Sequence, residues 1–362
     1  MDIIIFGAGN YGKKLLETIN KYEGINVLGY ADSVKKGDFL GLPILDVFQH
    51  EGEYCNTPVV IAVAAFKSRR TIIRRLRETG FKKIYFYLCK DFCHKQDFFE
   101  AECCYIEDDP EPILYYAEMS VIDYCNLNCK GCNHYSPIFD RTLPSREKRM
   151  ADIIQLKKLY NRIVEFGLIG GEPFLNPELK DYLVETRNLL PNTEIQLVTN
   201  GLLIPQLPKE LLRVMHDLSI TISISPYVPT QKILEKIKDT LKASAVDYVI
   251  KPMIQKEMFY KTLSTKNDSI YPKKCISDGC VNLCDGKVAR CPSLLYIPFL
   301  NLKYDIDFPE EGIYLLSDYE DGKKLEEDLE KNIPLCNHCI DFRFEWERCD
   351  KKVKLEDFVV FD

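Results

Sequence analysis

"DYCNLNCKGCNH", residues 123–134, places three cysteines within eight positions, at Cys125, Cys129 and Cys132. The segment continues from Glu118–Tyr124, which has the apolar composition of a buried strand. Three thiolates this close together cannot by themselves complete the four-ligand shell of a structural metal ion. They suit a 4Fe–4S cluster held by three protein ligands, in which one iron stays open for a substrate or a cofactor. We call residues 123–134 the cysteine loop.

Strand and helix signals alternate after the cysteine loop. The spacing of Ile153, Leu156, Tyr160, Ile163 and Val164 predicts one face of a helix, and the apolar strand candidates are "FGLIGGE", "EIQLVTNG", "LSITISIS" and "DYVIKPM". This alternation predicts a parallel sheet with helices outside it, in a full or partial α/β barrel. The chemistry of such barrels gathers where strands end. Besides the cysteine loop, three segments fall at carboxyl ends of strands: Gly170–Glu172, Thr199–Gly201 and Ser223–Ser225.

The cysteine loop resembles the C-x3-C-x2-C signature of the radical S-adenosylmethionine (SAM) superfamily, and "GGEP" at Gly170–Pro173 resembles the second element of that family. The resemblance implies that Cys125, Cys129 and Cys132 bind three irons of a 4Fe–4S cluster and that SAM chelates the fourth. It implies a 5′-deoxyadenosyl radical that abstracts hydrogen from a C–H bond. It also implies that SAM contacts Gly170, Gly171, Glu172, Asn200, Ser223 and Ser225. The alternative for this loop is a zinc site with His134 as the fourth ligand.

Seven of the fifteen cysteines crowd the last quarter of the chain, which favours metal or redox chemistry. The spacing of Cys275, Gly286 and Cys291, followed by the pair Cys336 and Cys339, resembles the SPASM and twitch extensions of radical SAM enzymes. The resemblance implies an auxiliary 4Fe–4S cluster on these four cysteines, with Cys280 as the rival ligand. Zinc is the alternative here too, because C-x2-C pairs also bind zinc.

The chain begins with a strand–turn–helix pattern in which Gly7, Gly9 and Gly12 fit G-x-G-x-x-G, and a second strand ends at Asp32. In one interpretation, amides at the helix start bind a phosphate and Asp32 accepts from a ribose hydroxyl. In the other, the glycines only allow strand and helix to pack closely. "GYADSVKKGDFLGLPIL", residues 29–45, resembles the small nucleotide-binding domain of bacterial sugar acetyltransferases and related proteins. That resemblance implies a nucleotide or nucleotide sugar.

We therefore predict an α/β protein with a Rossmann-like domain over 1–95, a linker over 96–116, a partial (β/α) barrel of radical SAM type over 117–265 and a twitch/SPASM-like cysteine-rich domain over 266–362. The predicted function is a radical SAM oxidoreductase that oxidises or dehydrogenates a sugar or nucleotide-linked sugar of cell-surface glycan metabolism. Its reductant would be a flavodoxin or a ferredoxin. The alternatives are an enzyme that modifies a ribosomally made peptide, and a non-catalytic iron–sulfur or zinc scaffold.

The charge and the apolar runs of the sequence indicate which kinds of partner this protein does not bind. A formal net charge of −7 argues against a protein that binds nucleic acid by bulk electrostatics. The longest apolar runs are too short to span a bilayer, and "MDIIIFGAG" lacks the basic start of a signal peptide. We therefore expect a cytoplasmic protein that does not interact with membranes.

Overall fold

The computed structural model describes residues 1–49, 52–106, 111–252, 259–267, 275 and 279–361. The chain forms two compact units, Met1–Pro110 and Glu111–Asp362. Four residues of the predicted acidic linker, 107–110, lie outside the described residues, as do 268–274 and 276–278 of the predicted cysteine-rich domain. Within the described ranges, no helix is both long enough and apolar enough to cross a membrane.

The first unit alternates strands and helices around one sheet. Its strands are β1 Asp2–Phe6, β2 Asn26–Ala31, β3 Asp38–Phe39, β4 Leu42–Pro43, β5 Val59–Ile61, β6 Ile84–Tyr87 and β7 Cys103–Ile106. Its helices are α1 Asn10–Ile19, α2 Phe66–Glu78 and α3 Phe98–Glu102. The five-stranded sheet has the order β2-β1-β5-β6-β7, and β1, β2, β5 and β6 are parallel. This is the Rossmann-like arrangement that the sequence predicts.

The segment 98–106 differs from its prediction as part of a linker. It forms α3 and then β7, which pairs antiparallel with β6 through Tyr87 and Cys103. The reason is burial, because Phe98, Cys103 and Ile106 are all at least nine-tenths buried. The segment therefore completes the first sheet.

The second unit contains the remaining elements. Its strands are β8 Ile113–Ser120, β9 Arg162–Ile169, β10 Glu194–Thr199, β11 Thr221–Ile224, β12 Tyr248–Ile250, β13 Phe259–Ser264, β14 Asn282–Cys284, β15 Lys287–Ala289, β16 Tyr314–Leu315, β17 Cys339–Phe344 and β18 Val359–Val360. Its helices are α4 Arg146–Leu159, α5 Leu179–Leu189, α6 Lys209–Asp217, α7 Val228–Gln231, α8 Leu234–Ala243, α9 Pro292–Tyr304 and α10 Gly322–Leu329.

An eight-stranded sheet of order β12-β11-β10-β9-β8-β14-β15-β16 forms the framework of this unit. Strands β8 to β12 are parallel and follow one another across the sheet, with a helix in each crossover. The predicted α/β class and parallel barrel sheet are thereby confirmed. One helix prediction is wrong in its extent, because α4 ends at Leu159 and Ile163 and Val164 lie in β9. A strand buried on both faces continues the apolar pattern of the preceding helix, so periodicity does not separate them.

The two faces of the parallel sheet differ in polarity. One face is apolar and fully buried, and it carries Ala117, Met119, Phe166, Leu168, Ile195, Leu197 and Ile222. The other face carries polar side chains, because the strand register places Glu118, Gln196 and Ser223 on the same side of the sheet. An apolar face is the one that crossover helices cover. The polar face is therefore the inner face of the partial barrel.

The cysteine-rich part continues the same sheet. Strands β14 and β15 form a hairpin whose two turn residues, Asp285 and Gly286, have φ values of 48° and 81°. A two-residue turn with both φ values positive favours glycine at its second position. Beyond it, α9 is buried over most of its length, and the three strands β17, β13 and β18 form a separate small sheet.

Candidate functional site: the cysteine loop and its surroundings

The cysteine loop follows directly from the carboxyl end of β8. Cys129 is buried and Cys125 and Cys132 are half-buried. Burial raises the pKa of Cys125 to about 12, and the Glu172 carboxylate adds to that rise. Burial and the Cys132 thiol raise the pKa of Cys129 further above its usual range. Buried thiols become ligands only when a cation offsets the charge of the thiolates. The donor set therefore fits a metal cluster.

Nitrogen donors point at sulfur atoms of this loop. The backbone N–H of Leu127 lies 3.4 Å from Cys125 Sγ, and Asn200 Nδ2 lies 3.7 Å from the same sulfur. Trp346 Nε1 donates to Cys129 Sγ at 3.2 Å. Such hydrogen bonds are among the factors that set the potential of iron–sulfur clusters. The loop thus provides both soft ligands and a polar surround for them.

Residues Gly170–Glu172, which we call the GGE segment, form backbone hydrogen bonds with the cysteine loop and with Ile122, which directly precedes it. Gly171 N donates to Ile122 O at 2.8 Å, and Glu172 N donates to Tyr124 O at 3.1 Å. A Cβ atom at Gly171 would lie 2.0 Å from Tyr124 O, and one at Gly170 would lie 2.1 Å from Ile122 O. Both glycines are therefore required for this close approach of two backbones.

Glu172 connects three parts of the site from a fully buried position. Its carboxylate accepts hydrogen bonds from Thr199 Oγ1 at 2.7 Å, Asn200 N at 2.9 Å and Phe174 N at 3.2 Å. Burial raises its pKa to about 7, while the three hydrogen bonds oppose that rise. The side chain that we predicted to contact SAM thus holds the GGE segment against the end of β10.

The other predicted SAM residues lie on neighbouring strand ends. Asn200 is buried, and its Nδ2 donates to Asn126 Oδ1 at 2.8 Å inside the cysteine loop. Ser225 N donates to Thr199 O at 2.9 Å. Ser223 is 1% exposed on the inner face, and its Oγ has no hydrogen-bond partner among the described residues. A buried hydroxyl without a partner is costly, so Ser223 is a polar group that a ligand could satisfy.

His134, the alternative zinc ligand, is turned toward other groups. Its Nδ1 lies 2.9 Å from Asn133 Oδ1, and its ring lies 5.4 Å from the ring of Tyr296. Burial lowers its pKa to about 4, and Lys251 contributes in the same direction. The described contacts of this imidazole are therefore with a side-chain amide and an aromatic ring.

Four of the seven C-terminal cysteines line one cleft. Its walls include Cys275, Cys291, Cys336 and Cys339, together with Arg290. Burial raises the pKa of Cys291 to about 11 and that of Cys339 to about 12, and neighbouring thiols of the same cleft add to both. The four residues of the predicted auxiliary set thus meet, although 64 residues separate the first and last in sequence.

Cys280, the rival ligand, does not line that cleft. Burial is the main cause of its raised pKa, and the carboxylate of Glu118 is the next. Glu118 lies on the inner face of the barrel and accepts a hydrogen bond of 2.7 Å from Tyr116 Oη. The thiols of Cys275 and Cys291 also raise the pKa of Cys280, so Cys280 lies near the cysteine cleft as well as near the barrel interior.

Several supporting residues carry no sequence motif. Arg149 is 1% exposed on α4, with its NH2 group 3.4 Å from Asp123 Oδ2 at the start of the cysteine loop and its Nε 3.3 Å from Asp285 Oδ1 in the hairpin turn. Trp346 reaches the loop from 217 residues away. Short-range patterns hold no information about such contacts. The single tryptophan of the chain was the one signal in the sequence, because Arg149 follows three other charged residues, 146–148, and nothing in the sequence distinguishes it from them.

In the first unit, the glycine motif has a clear packing role. A Cβ atom at Gly12 would lie 1.9 Å from Gly7 O, and one at Gly7 would lie 2.7 Å from Ala62 O. Gly9 faces open space at the start of α1. Asp32 accepts hydrogen bonds from the amides of Ala8, Val34 and Lys35. Its carboxylate thus already binds the turn that precedes α1.

Comparison with known proteins identifies the class of both regions. Residues 119–251 match the family model of the radical SAM superfamily, and residues 2–76 match that of the PglD N-terminal domain. The predicted radical SAM resemblance is thereby confirmed. The chain contains a radical SAM domain, and the cofactors of this class are a 4Fe–4S cluster and SAM.

Individual relatives match over limited lengths. GTP 3′,8-cyclase of Clostridium acetobutylicum is 35% identical over 102 residues, which cover 26% of this chain and 30% of that enzyme. Molybdenum cofactor biosynthesis protein 1 of Homo sapiens is 29% identical over 122 residues, which cover 32% of this chain and 18% of that protein. The solved complex of BtrN with AdoMet and 2-DOIA is 12% identical, with a TM-score of 0.40, over 64% of this chain and 95% of BtrN. This chain thus aligns with less than a third of the length of either sequence relative.

Proposed function

We propose that this protein is a radical SAM oxidoreductase in which Cys125, Cys129 and Cys132 ligate a 4Fe–4S cluster. When bound, the cluster and SAM would together supply a 5′-deoxyadenosyl radical that abstracts hydrogen from a substrate. The observation that carries this proposal is the pairing of the GGE backbone with the start of the cysteine loop, through the hydrogen bond from Glu172 N to Tyr124 O. Because of this pairing, the thiols of the cysteine loop and the backbone of the GGE segment lie next to each other.

The protein groups around this surface have distinct roles in the proposal. The Gly170–Gly171 backbone provides polar groups for the methionine end of SAM, and Ser223 provides a buried hydroxyl for its carboxylate. Glu172 and Asn200 complete the predicted set, and the described contacts of Glu172 favour a positioning role for it. An enclosed barrel mouth keeps water and stray hydrogen donors from a reactive intermediate.

The auxiliary site is proposed on Cys275, Cys291, Cys336 and Cys339. Four thiols that line one cleft match the ligand set of a 4Fe–4S cluster. Zinc would use the same four ligands. Cys280 remains the rival ligand, although its proximity to Glu118 gives it a second possible environment.

The substrate is proposed to be a small hydroxyl-rich molecule, a sugar or a nucleotide-linked sugar. The inner face of the barrel supports this, because it presents hydroxyl, carboxylate and amide groups on Tyr116, Glu118 and Gln196. Such groups match the donors and acceptors of sugar hydroxyls. The match of residues 2–76 to the PglD N-terminal domain supports a nucleotide at Gly9 and the start of α1. Asp32 would then act mainly by holding the turn.

The decisive experiment measures 5′-deoxyadenosine by mass spectrometry. The full chain is reconstituted anaerobically with iron and sulfide, and SAM and dithionite are then added. We expect product from the wild type and none from the Cys129→Ala variant. A wild-type protein that carries a reduced cluster and yields no 5′-deoxyadenosine would refute the proposal and favour the scaffold alternative.

Ligand binding distinguishes the proposed sugar-modifying enzyme from the peptide-modifying alternative. A sugar enzyme should co-purify with, or be stabilised by, a uridine nucleotide or nucleotide sugar. A peptide-modifying enzyme should instead bind the leader segment of a peptide encoded beside it. If the protein binds a leader peptide tightly and binds no nucleotide, the proposed substrate is a peptide and not a sugar. The proposed cleavage of SAM would be unaffected.

A further inference from the structure

A segment near the carboxyl end of the described chain is attached to the cysteine loop. Residues Trp346–Cys349, which we call the strap, run antiparallel to the loop, with a bridge between Cys129 and Arg348. Lys130 N donates to Glu347 O at 3.0 Å, and Cys349 N donates to Asn128 O at 2.7 Å. Backbone hydrogen bonds therefore flank Cys129 on both sides.

Side chains reinforce the same contact. Lys130 Nζ lies 2.6 Å from Glu347 Oε2, and Lys130 is 25% exposed. The indole N–H of Trp346 donates to Cys129 Sγ at 3.2 Å, and Cys129 is itself 7% exposed. A partly buried indole N–H usually requires an acceptor. Here that acceptor is the sulfur of a proposed cluster ligand.

The chemistry of this hydrogen bond depends on the state of the sulfur. A neutral thiol is a weak acceptor, whereas a thiolate carries the charge that an N–H donor stabilises. A bound cluster gains a further negative charge when it is reduced, and part of that charge resides on the ligand sulfurs. An N–H donor therefore stabilises the reduced form more than the oxidised form, and low exposure strengthens the effect.

We infer that Trp346 is a positioning and tuning residue, which fixes Cys129 and raises the reduction potential of the cluster bound there. This inference rests on the proposed function, because it requires Cys129 to be a cluster ligand. The strap would supply the framework that keeps the indole in place. The radical site would thus depend on a segment outside residues 119–251, which match the radical SAM family model.

Two readouts that do not depend on turnover test the inference. The first is the midpoint potential of the SAM-responsive cluster, followed by electron paramagnetic resonance during a redox titration. Addition of SAM changes the signal of a cluster with an open iron and so distinguishes it from an auxiliary cluster. We expect Trp346→Phe to load the same iron content and to shift the midpoint to a more negative potential.

Matched variants separate tuning from packing. Glu347→Gln weakens the ion pair of the strap but keeps the indole N–H, so its midpoint should equal that of the wild type. Trp346→His retains a ring N–H, and its midpoint should lie between those of the wild type and Trp346→Phe. Equal midpoints for fully loaded wild type and Trp346→Phe would overturn the inference.

The second readout needs no variant, because Trp346 is the single tryptophan of the chain. Its fluorescence should be strongly quenched when the cluster is assembled. Unchanged emission in a loaded wild-type protein would place the indole away from the cluster and overturn the inference even if Trp346→Phe fails to fold. A wild type that loads no SAM-responsive cluster would instead refute the proposed function.

Discussion

The hydroxyl of Thr199 donates a hydrogen bond of 2.7 Å to Glu172 Oε1 and joins two loops that lie 27 residues apart in the chain. The acceptor is a fully buried carboxylate, whose pKa burial raises to about 7. The GGE segment is therefore held in place by a group that changes charge near neutral pH. This makes the stability of the site pH-dependent.

The first prediction concerns that pH dependence. Because the folded-state pKa of about 7 lies above the ordinary 4.5 of glutamate, the folded chain binds more protons than the unfolded chain between these values. The free energy of unfolding should therefore fall as the pH rises from about 5 to about 7, by up to ~1.4 kcal/mol per pH unit from this group. Glu172→Gln should remove that component. Urea unfolding of the cluster-free wild type and of the variant, repeated across this pH range, measures the contribution of Glu172. If the free energy of unfolding depends on pH in the same way for both proteins, the prediction is wrong.

The second prediction concerns Gly171. In Gly171→Ala, the new Cβ would lie 2.0 Å from Tyr124 O, so the GGE segment must move away from the cysteine loop. We expect 5′-deoxyadenosine formation to fall about 100-fold, since displacements of about 1 Å have effects of that size. Gly24→Asn is the control, because its Cβ would meet no atom within 4 Å and asparagine tolerates a positive φ. Equal rates for both variants would show that this close approach is dispensable.

The third prediction compares two arginines of α4. Arg149 is buried against Asp123, whereas Arg146 pairs with the exposed Asp181 and Glu185. Arg149→Met leaves the partly buried Asp123 carboxylate without its cation and should cost about 3–5 kcal/mol of unfolding free energy. Arg146→Met should cost at most about 1 kcal/mol. Denaturant unfolding of the two variants checks the difference, and similar losses would contradict the assigned role of Arg149.

The fourth prediction assigns the auxiliary ligands. Cys336→Ala and Cys339→Ala each remove a thiol from the cysteine cleft, so each should lower the iron content by about four atoms per chain. Cys280→Ala should retain the wild-type iron content, because Cys280 does not line that cleft. Iron and sulfide analysis of reconstituted proteins measures both effects. Loss of iron from Cys280→Ala would identify Cys280 as a cluster ligand. Zinc that stays bound after aerobic purification would favour the zinc alternative.

The fifth prediction concerns substrate recognition on the inner face. Lys251 follows β12, and its N–H donates to Ile224 O at 2.9 Å. The residue is exposed to solvent, and its ammonium group lies close enough to the Glu118 carboxylate on the inner face for the two charges to interact. Lys251→Met should retain the slow, substrate-free formation of 5′-deoxyadenosine and lose its stimulation by nucleotide sugars. Lys180→Met, at an exposed ion pair with Glu210, should retain both. If nucleotide sugars stimulate Lys251→Met as strongly as the wild type, Lys251 does not take part in substrate recognition.

Much of the site was predictable because its ligands are local in sequence. Cys125, Cys129 and Cys132 lie on one loop, and parallel strands bring their carboxyl ends to one edge of a sheet. The sequence therefore placed the GGE segment and Thr199–Gly201 in the same region as the cysteine loop. The end of α4 at Leu159 could not be predicted, because buried helix and buried strand share an apolar composition.

The amino-acid sequence by itself determined the α/β class, the cysteine ligand candidates and the strand ends that carry polar residues. These features are encoded in spacing and periodicity over a few positions. Only the tertiary structure decided that Glu172 is a buried junction, that Arg149 supports Asp123 and that Trp346 contacts Cys129. Each of these contacts joins residues that are distant in the chain. Their partners are set by how the whole unit packs, which no local pattern specifies.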